Sequence, residues 1–285
     1  MPKILHFTPV RKPADVLELH LRSLIGINKE NFSLTYSFFD DNVDEESSTI
    51  LEQFVENNKN ALLHQFDLEK ASNYKGNERW VPQLYQRITL IKNKAIQYFL
   101  QHDFDYLFLS DADLIINPDC LKNLVSKQLD FCASVFWTHF KGNLTYTPNA
   151  WYAKHLGFSK EDLMRFKTPG TYEVDFTGAC TLLSRNILEA GVSFEKISNI
   201  EFLGEDKHFC IRAAVLGFQA YLNTEYPCFH IYQQSNVQEG KPLLDNNFDF
   251  NLEDYLDENW EAKLDEMVTP KKKSILQRAK LRFRK

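Results

Sequence analysis

The chain has 285 residues, of which 44% are hydrophobic and 25% charged, and its formal net charge is −6. These values are ordinary for a globular protein, so they exclude disorder, collagen and a disulfide scaffold as descriptions of the whole chain. All charged residues from Lys271 to Lys285 are basic, so residues 1–270 are more acidic than the whole chain. An acidic body of this kind excludes non-specific nucleic-acid binding as its expected function.

Apolar patterns in the first half predict alternating strands and helices. We predict a buried strand at residues 4–7 that enters a loop at Thr8 and Pro9, and a second strand at 32–39 that stops at Asp40 and Asp41. Helices are predicted at 14–25, at 45–55 and in a segment that ends near residue 100. Residues 106–109 form the clearest buried strand. This alternation predicts an α/β fold with a mostly parallel central sheet flanked by helices.

The second half is less regular. Strands are predicted at 131–136, 181–184, 219–223 and 228–232, and helices at 186–190 and 205–216, whereas residues 137–172 have mixed character. Residues 244–267 are acidic and aromatic and predict short surface helices. Without a repeat or a linker, we expect one domain over 1–240 and a C-terminal appendage over 241–285, helical at first and then basic.

The cysteines, the N-terminus and the lack of long apolar runs indicate the cellular compartment of the protein. The five cysteines never occur in a C-x-x-C spacing, which predicts reduced thiols rather than disulfides or a zinc site. No apolar run approaches the ~20 residues that span a bilayer, and the N-terminus does not resemble a signal peptide. We therefore expect a cytoplasmic protein that is soluble or peripherally bound to the inner face of the membrane.

Acidic motifs indicate the chemistry. Asp111 and Asp113 follow the buried strand at 106–109 directly, at the end of a strand where open α/β sheets bind ligands. Two such carboxylates either hold a divalent cation or simply form an acidic turn. Glu205 and Asp206 open a predicted helix, whose dipole favours ionised carboxylates. His230, in an apolar segment, is either a core residue or a third metal ligand.

The order of these motifs along the chain resembles that of the GT-A glycosyltransferases, especially the family-2-like inverting enzymes, over about residues 3–232. The segments 105–114 and 174–180 are also similar to Anp1-like and phage-type transferases. The resemblance implies a GT-A-like, or Rossmann-like, catalytic domain. It implies that the nucleotide, its diphosphate and the ribose are bound by Thr8, Pro9, Arg11, Asp40, Asp41, Arg87, Lys92 and Asp111.

The same resemblance assigns the remaining roles. It implies that Asp113 and His230, with Asp111 directly or through water, hold Mn²⁺ or Mg²⁺ beside the diphosphate. Asp206 would be the general base, and Glu205 would orient it or the acceptor. The donor sugar would lie against Thr177, Gly178 and Ala179. Trp137 lies between Asp113 and Thr177 in the chain, where an aromatic side chain either stacks on an acceptor sugar or packs in the core or a lid.

The implied reaction is transfer of a sugar from a UDP- or GDP-linked donor to a glycan, lipid-linked or protein hydroxyl. A single base without a second nucleophile predicts inversion by one displacement. Two alternatives stay open: a nucleotidyltransferase acting on sugar phosphates, and a sugar-binding protein that has lost catalysis. The first is weakened because no glycine-rich loop follows the first strand.

The basic tail has two interpretations. Residues 274–285 place apolar side chains on one arc of a helix and basic ones on the rest. Such a segment either binds an anionic membrane surface or forms a solvated end of the chain.

Overall fold

The computed structural model describes residues 1–66, 82–140, 142–155, 159–200, 204–246, 248–256 and 258–268. The basic tail, for which membrane binding and a solvated chain end were both left open, lies outside these residues. No helix within them combines the length and the apolar character needed to cross a membrane.

The strands are β1 (Lys3–Val10), β2 (Ser33–Asp40), β3 (Ala61–His64), β4 (Tyr106–Leu109), β5 (Leu114–Ile115), β6 (Phe131–Thr138), β7 (Thr147–Pro148), β8 (Ala150–Trp151), β9 (Thr171–Val174), β10 (Phe176–Thr177), β11 (Thr181–Ser184) and β12 (Ala220–His230). The helices are α1 (Ala14–Ile25), α2 (Glu45–Asn57), α3 (Pro82–Gln101), α4 (Cys120–Ser126), α5 (Lys160–Phe166), α6 (Arg185–Glu189), α7 (Glu205–Val215), α8 (Asn236–Asp245) and α9 (Trp260–Val268).

The main sheet has the strand order β3-β2-β1-β4-β11-β6-β12-β5. Its first four strands are parallel, as the alternation of strands and helices predicts. In the second half, β11 runs antiparallel to both β4 and β6, whereas β12 is parallel to β6. The α/β class is therefore confirmed, and the parallel pairing is concentrated in the first half.

Apolar side chains fill both faces of the sheet. Neighbouring residues of β1 point to opposite faces, so Ile4 packs with α1 and α2 residues and Leu5 packs with α3 residues. This two-sided burial explains why central strands are continuously apolar. The C-terminal segment joins the same core through Trp260, which is 3% exposed. Helix α8 spans the predicted boundary at residue 240, and its Val237 is buried.

Several boundaries differ from the prediction. Strand β1 continues through Thr8 and Pro9 to Val10, so these residues lie in the sheet and not in a loop. The two strands predicted near the end are one strand, β12, with a register shift between Asn223 and Cys228. The short strands β3 and β5 were not predicted. The two residues of β5 are too few to show a period.

Candidate active site

The candidate site lies at the carboxyl ends of β1, β2 and β4. Strand β2 ends at Asp40, opposite Val10 at the end of β1, and β4 ends two residues before Asp111. Parallel pairing of these strands places the acidic residues after β2, Asp40 and Asp41, and those after β4, Asp111 and Asp113, at one edge of the sheet. This is the edge at which open α/β sheets bind ligands.

Asp113 is a buried carboxylate between two cationic or basic side chains. Its Oδ2 accepts a hydrogen bond of 2.5 Å from Lys12 Nζ and lies 3.4 Å from His230 Nε2. Burial by itself would raise the pKa of Asp113, but the charges of Lys12 and His230 outweigh it and the pKa is lowered. Asp113 is therefore ionised at neutral pH.

The residues around Asp113 fit a divalent cation. Asp113 Oδ1 is buried and has no hydrogen-bond partner among the described residues. His230 is held by a bond of 2.7 Å between Nδ1 and the Thr138 hydroxyl, which leaves Nε2 toward Asp113. An unpartnered carboxylate oxygen beside an oriented imidazole suits Mn²⁺ or Mg²⁺. Asp111 does not converge with this pair within 4.8 Å in the described part of the chain.

A second charged cluster surrounds Lys92. Its ammonium donates hydrogen bonds to Glu205 Oε1 at 2.7 Å and to Asp206 Oδ1 at 2.8 Å. Lys92 is 5% exposed and Glu205 is 6% exposed, whereas the Asp206 side chain is 30% exposed. Lys92 thus lies beneath the two predicted catalytic carboxylates, and its charge is shared between them.

The environment of Asp206 tunes its proton affinity. Burial raises the pKa of Asp206 to about 7; Lys92 opposes this rise, whereas Glu205 adds to it. The pKa of Lys92 is raised because the attraction of Asp206 and Glu205 exceeds the cost of its burial. At neutral pH, Asp206 therefore exchanges a proton readily while Lys92 stays charged, as a general base requires.

Two glycines shape this cluster. A Cβ added to Gly178 would lie 2.9 Å from Asp206 Oδ2, so this close approach depends on the absence of a side chain. Gly204, just before α7, has a φ of +102°, a conformation that favours glycine. The glycines beside the predicted motifs therefore allow α7 to present Asp206 against the turn after β10.

Asp111 connects the two clusters electrostatically. Burial raises the pKa of Asp111; Lys92 opposes the rise and Asp113 adds to it. Lys12, on the Asp113 side, also acts on Asp111. Asp111 therefore lies within electrostatic reach of both the Asp113 cluster and the Lys92 cluster.

The predicted nucleotide residues form a third group. Asp41 Oδ1 accepts hydrogen bonds from Arg87 Nε at 2.7 Å and from Arg87 Nη2 at 2.5 Å. Arg11 Nη1 lies 3.5 Å from Asp41 Oδ2. Asp40 Oδ1 accepts from the Asn42 backbone N–H at 2.9 Å. The structure thus brings Arg11 and Arg87 together around the single carboxylate of Asp41, next to the turn that follows β2.

Other predicted site residues lie away from open surface. Thr8 is fully buried, and its hydroxyl bonds to Ser110 Oγ at 2.8 Å. Trp137 is 5% exposed and packs edge-on against Trp260, so its indole belongs to the core and does not form an exposed sugar platform. Thr177 is 2% exposed and its hydroxyl donates to the Asn149 carbonyl. Ala179 is 8% exposed.

Three residues that sequence reasoning missed support the site. The Lys12 ammonium donates a hydrogen bond to Asp113. Its position two residues after strand β1, near the predicted nucleotide site, could have identified it in the sequence. His6 Nε2 bonds to Ser110 Oγ at 2.8 Å, and His20 Nδ1 donates to the Leu114 carbonyl at 2.7 Å. Burial lowers the pKa of His20 to about 4, so this ring is neutral. These bonds hold both ends of the loop that carries Asp111 and Asp113.

Comparison with known families and proteins adds independent evidence. A family model described as glycosyltransferase family 25, N-terminal domain, matches residues 1–191. No curated protein matched the chain. The family match supports the glycosyltransferase resemblance over the nucleotidyltransferase alternative.

Solved structures with a similar fold include a mannosyltransferase and a protein bound to UDP. The mannosyltransferase PcManGT from Pyrobaculum calidifontis, in complex with GDP-Man and Mn²⁺, has a TM-score of 0.53 and 12% identity; the match covers 84% of this chain and 59% of that one. S. aureus TarS 1–349 in complex with UDP has a TM-score of 0.52 and 14% identity, and the match covers 93% and 69% of the two chains. The chain thus spans about three fifths of the mannosyltransferase. The predicted GT-A fold is confirmed.

Proposed function

The chain belongs to the family described as glycosyltransferase family 25, N-terminal domain, and from this premise we propose that it transfers a sugar from a UDP- or GDP-linked donor to an acceptor hydroxyl. One observation carries the proposal. Asp113 is a buried carboxylate suited to a cation, and Asp206 is a carboxylate whose pKa is about 7. Asp111 lies within electrostatic reach of both clusters. A leaving diphosphate and an attacking hydroxyl need these two groups side by side.

We assign the nucleotide to the carboxyl ends of β1 and β2. Asp40 and Asp41 would meet the base and ribose, and Arg11 and Arg87 would turn from Asp41 toward the diphosphate when it binds. Arg guanidinium groups suit phosphate oxygens because they donate two parallel hydrogen bonds. The GDP-Man and UDP in the complexes of the similar structures support this choice of ligand class.

A divalent cation would be held by Asp113 and His230, with Asp111 at longer range. When bound, such a cation supplies positive charge to the departing β-phosphate. Lys12 contributes a further positive charge at the same carboxylate. The Mn²⁺ in the mannosyltransferase complex supports this assignment.

Asp206 would act as the base in a single displacement. Its ionised carboxylate accepts the acceptor hydroxyl proton while the acceptor oxygen bonds to the anomeric carbon. The bond between that carbon and the phosphate oxygen breaks, and its electron pair leaves with the nucleoside diphosphate. Attack opposite the leaving group inverts the anomeric configuration. Lys92 and Glu205 would orient Asp206 and set its pKa.

The Gly178 turn, with Thr177 and Ala179 beside it, would border the donor sugar. Asp206 lies directly against this turn, so the anomeric carbon and the base would be neighbours. The acceptor would be a glycan, a lipid-linked sugar or a protein hydroxyl that approaches over Asp206.

The test is a panel of nucleotide sugars with each acceptor class, in which release of UDP or GDP is measured with Mn²⁺, Mg²⁺ or EDTA. We expect one donor to react, with loss of release in EDTA and in Asp113→Asn. Asp103→Asn is the matched control, because the Asp103 side chain is 91% exposed. No release from any donor would overturn the transferase assignment. A retained anomeric configuration in the NMR spectrum of the product would overturn the single displacement.

A further inference from the structure

Three cysteines far apart in the chain meet behind the candidate active site. Cys120 begins α4, Cys180 directly precedes β11, and Cys228 lies near the end of β12. The sulfur atoms of all three lie within 4.8 Å of one another, and those of Cys180 and Cys228 are 3.5 Å apart. Each residue is at most 1% exposed. We call this group the cysteine cluster.

The spacing of the sulfur atoms matches that of a thiolate metal site. Zinc bonds to thiolate sulfur at about 2.3 Å in a tetrahedron, which places neighbouring sulfurs about 3.8 Å apart. All three thiols are free, and the Ser134 hydroxyl lies 3.8 Å from Cys228 Sγ. The three sulfurs thus lie close enough together to bind one ion, and one hydroxyl oxygen, which also bonds to the Tyr226 carbonyl, lies near them.

We propose that the cysteine cluster binds one Zn²⁺, or a similar thiophilic divalent ion, through the three sulfurs. Each thiol that binds loses its proton to water, so three metal–sulfur bonds form and three protons are released. The fourth position falls to the Ser134 hydroxyl or to a water molecule. The lack of a C-x-x-C spacing argued against a zinc site in the sequence, but these three cysteines come from separate segments and need no such spacing.

The backbone at Cys180 gives independent support. Its φ is +60°, in the left-handed region that residues with a side chain rarely adopt. Glycine would relieve this strain, but glycine has no sulfur. Cys180 thus keeps a side chain where glycine would be unstrained, and its Sγ lies 3.5 Å from that of Cys228.

The position of the cluster gives the ion a structural role. Cys180 follows Gly178 by two residues, Cys228 precedes His230 by two, and Cys120 begins the helix after the loop that carries Asp113. A bound ion would tie together the three segments that present the candidate site. Its loss would therefore loosen the site without removing any group that contacts substrate.

The alternative is a purely apolar role, since buried cysteines also behave as small hydrophobic residues. Cys132 and Cys210 serve as internal references for this role. Both are buried and neither belongs to the cysteine cluster. Replacement of either one by alanine should disturb packing to a similar extent while leaving a metal site intact.

The experiment is Co²⁺ titration of the reduced full-length protein, followed by near-ultraviolet and visible absorption, with metal content measured by mass spectrometry. We expect one thiolate-bound Co²⁺ per chain, seen as charge-transfer and tetrahedral ligand-field bands that disappear when Zn²⁺ is added. Cys180→Ala and Cys228→Ala should abolish the bands, and Cys132→Ala and Cys210→Ala should retain them.

Two further measurements separate this site from the proposed reaction and from folding. Asp113→Asn should lose sugar transfer yet keep the Co²⁺ bands, so failure of either proposal is recognised separately. Zn²⁺ should also raise the melting temperature of the wild type until one equivalent is bound. Absence of thiolate bands in the folded wild type, or bands that persist in both Cys180→Ala and Cys228→Ala, would overturn the proposal whether or not the variants are stable.

Discussion

Gly178 lies so close to Asp206 that a Cβ at residue 178 would stand 2.9 Å from the Asp206 carboxylate oxygen. The opposite oxygen of that carboxylate is bonded to Lys92. Asp206 is therefore confined on both sides, and a small change at residue 178 must displace it.

We accordingly expect Gly178→Ala to lower turnover by about 10- to 100-fold, because displacement of a reacting group by a fraction of an ångström is costly. Stability should change little, since the Asp206 side chain is 30% exposed and can move. Steady-state kinetics and thermal melting measure the two effects. Gly26→Ala is the control, as its added Cβ meets nothing closer than 3.4 Å; equal turnover in both variants would contradict the prediction.

The pH dependence of the reaction should report Asp206. Because the base works only when ionised and its pKa is about 7, kcat/KM should fall about tenfold per pH unit below pH 7 and level off above it. Asp206→Asn should reduce kcat by about 10²- to 10⁴-fold. The residual kcat/KM of this variant should no longer fall below pH 7, which is the acidic limb of the wild-type profile. If the fall persists at the same pH in Asp206→Asn, another group is responsible for the titration.

Removal of the buried ammonium should affect both stability and pH dependence. Lys92→Met leaves the buried Glu205 unpaired, at a cost of about 3–5 kcal/mol in the free energy of unfolding. Since Lys92 lowers the pKa of Asp206, its loss should move the acidic limb to higher pH. Urea unfolding and pH profiles give the two readouts.

Two control variants accompany Lys92→Met. Lys92→Arg keeps the charge and should retain much of the stability. Lys94→Met removes an exposed lysine of the same helix and should change neither quantity. A Lys92→Met protein as stable as the wild type would show that the pairing contributes little.

Lys12 should set the metal affinity of the free enzyme. Its ammonium lies 2.5 Å from the same Asp113 oxygen that faces His230, so it competes with any cation there. We expect Lys12→Gln to tighten Mn²⁺ binding about tenfold without nucleotide, a change of the size that one nearby charge produces. Free Mn²⁺ measured by electron paramagnetic resonance tests this. Lys29→Gln is the control, because Lys29 lies beyond the C-terminal end of α1 and bonds to the Ile25 carbonyl and the Tyr36 hydroxyl. Weaker binding in Lys12→Gln would contradict the competition.

Sequence reasoning worked where the signal was local. The apolar stripe of α3 and the apolar run of β4 predicted those elements, because periodicity reflects which side of a segment is buried. Asp111 and Asp113 followed from β4, since strand ends in α/β sheets carry ligands. The sequence left Trp137 open between an acceptor platform and core packing, because its burial depends on Trp260, which lies far along the chain.

The sequence by itself determined the fold class, the acidic motifs and the family resemblance, because these reside in short-range patterns and in chain order. Only the tertiary structure decided which charges neutralise each other. Lys92 meets Glu205 across 113 residues, and Lys12 meets Asp113 across 101. Cys180 meets Cys228 across 48 residues. Such contacts depend on how strands align and on which side chains lose water together, and no local spacing encodes either property.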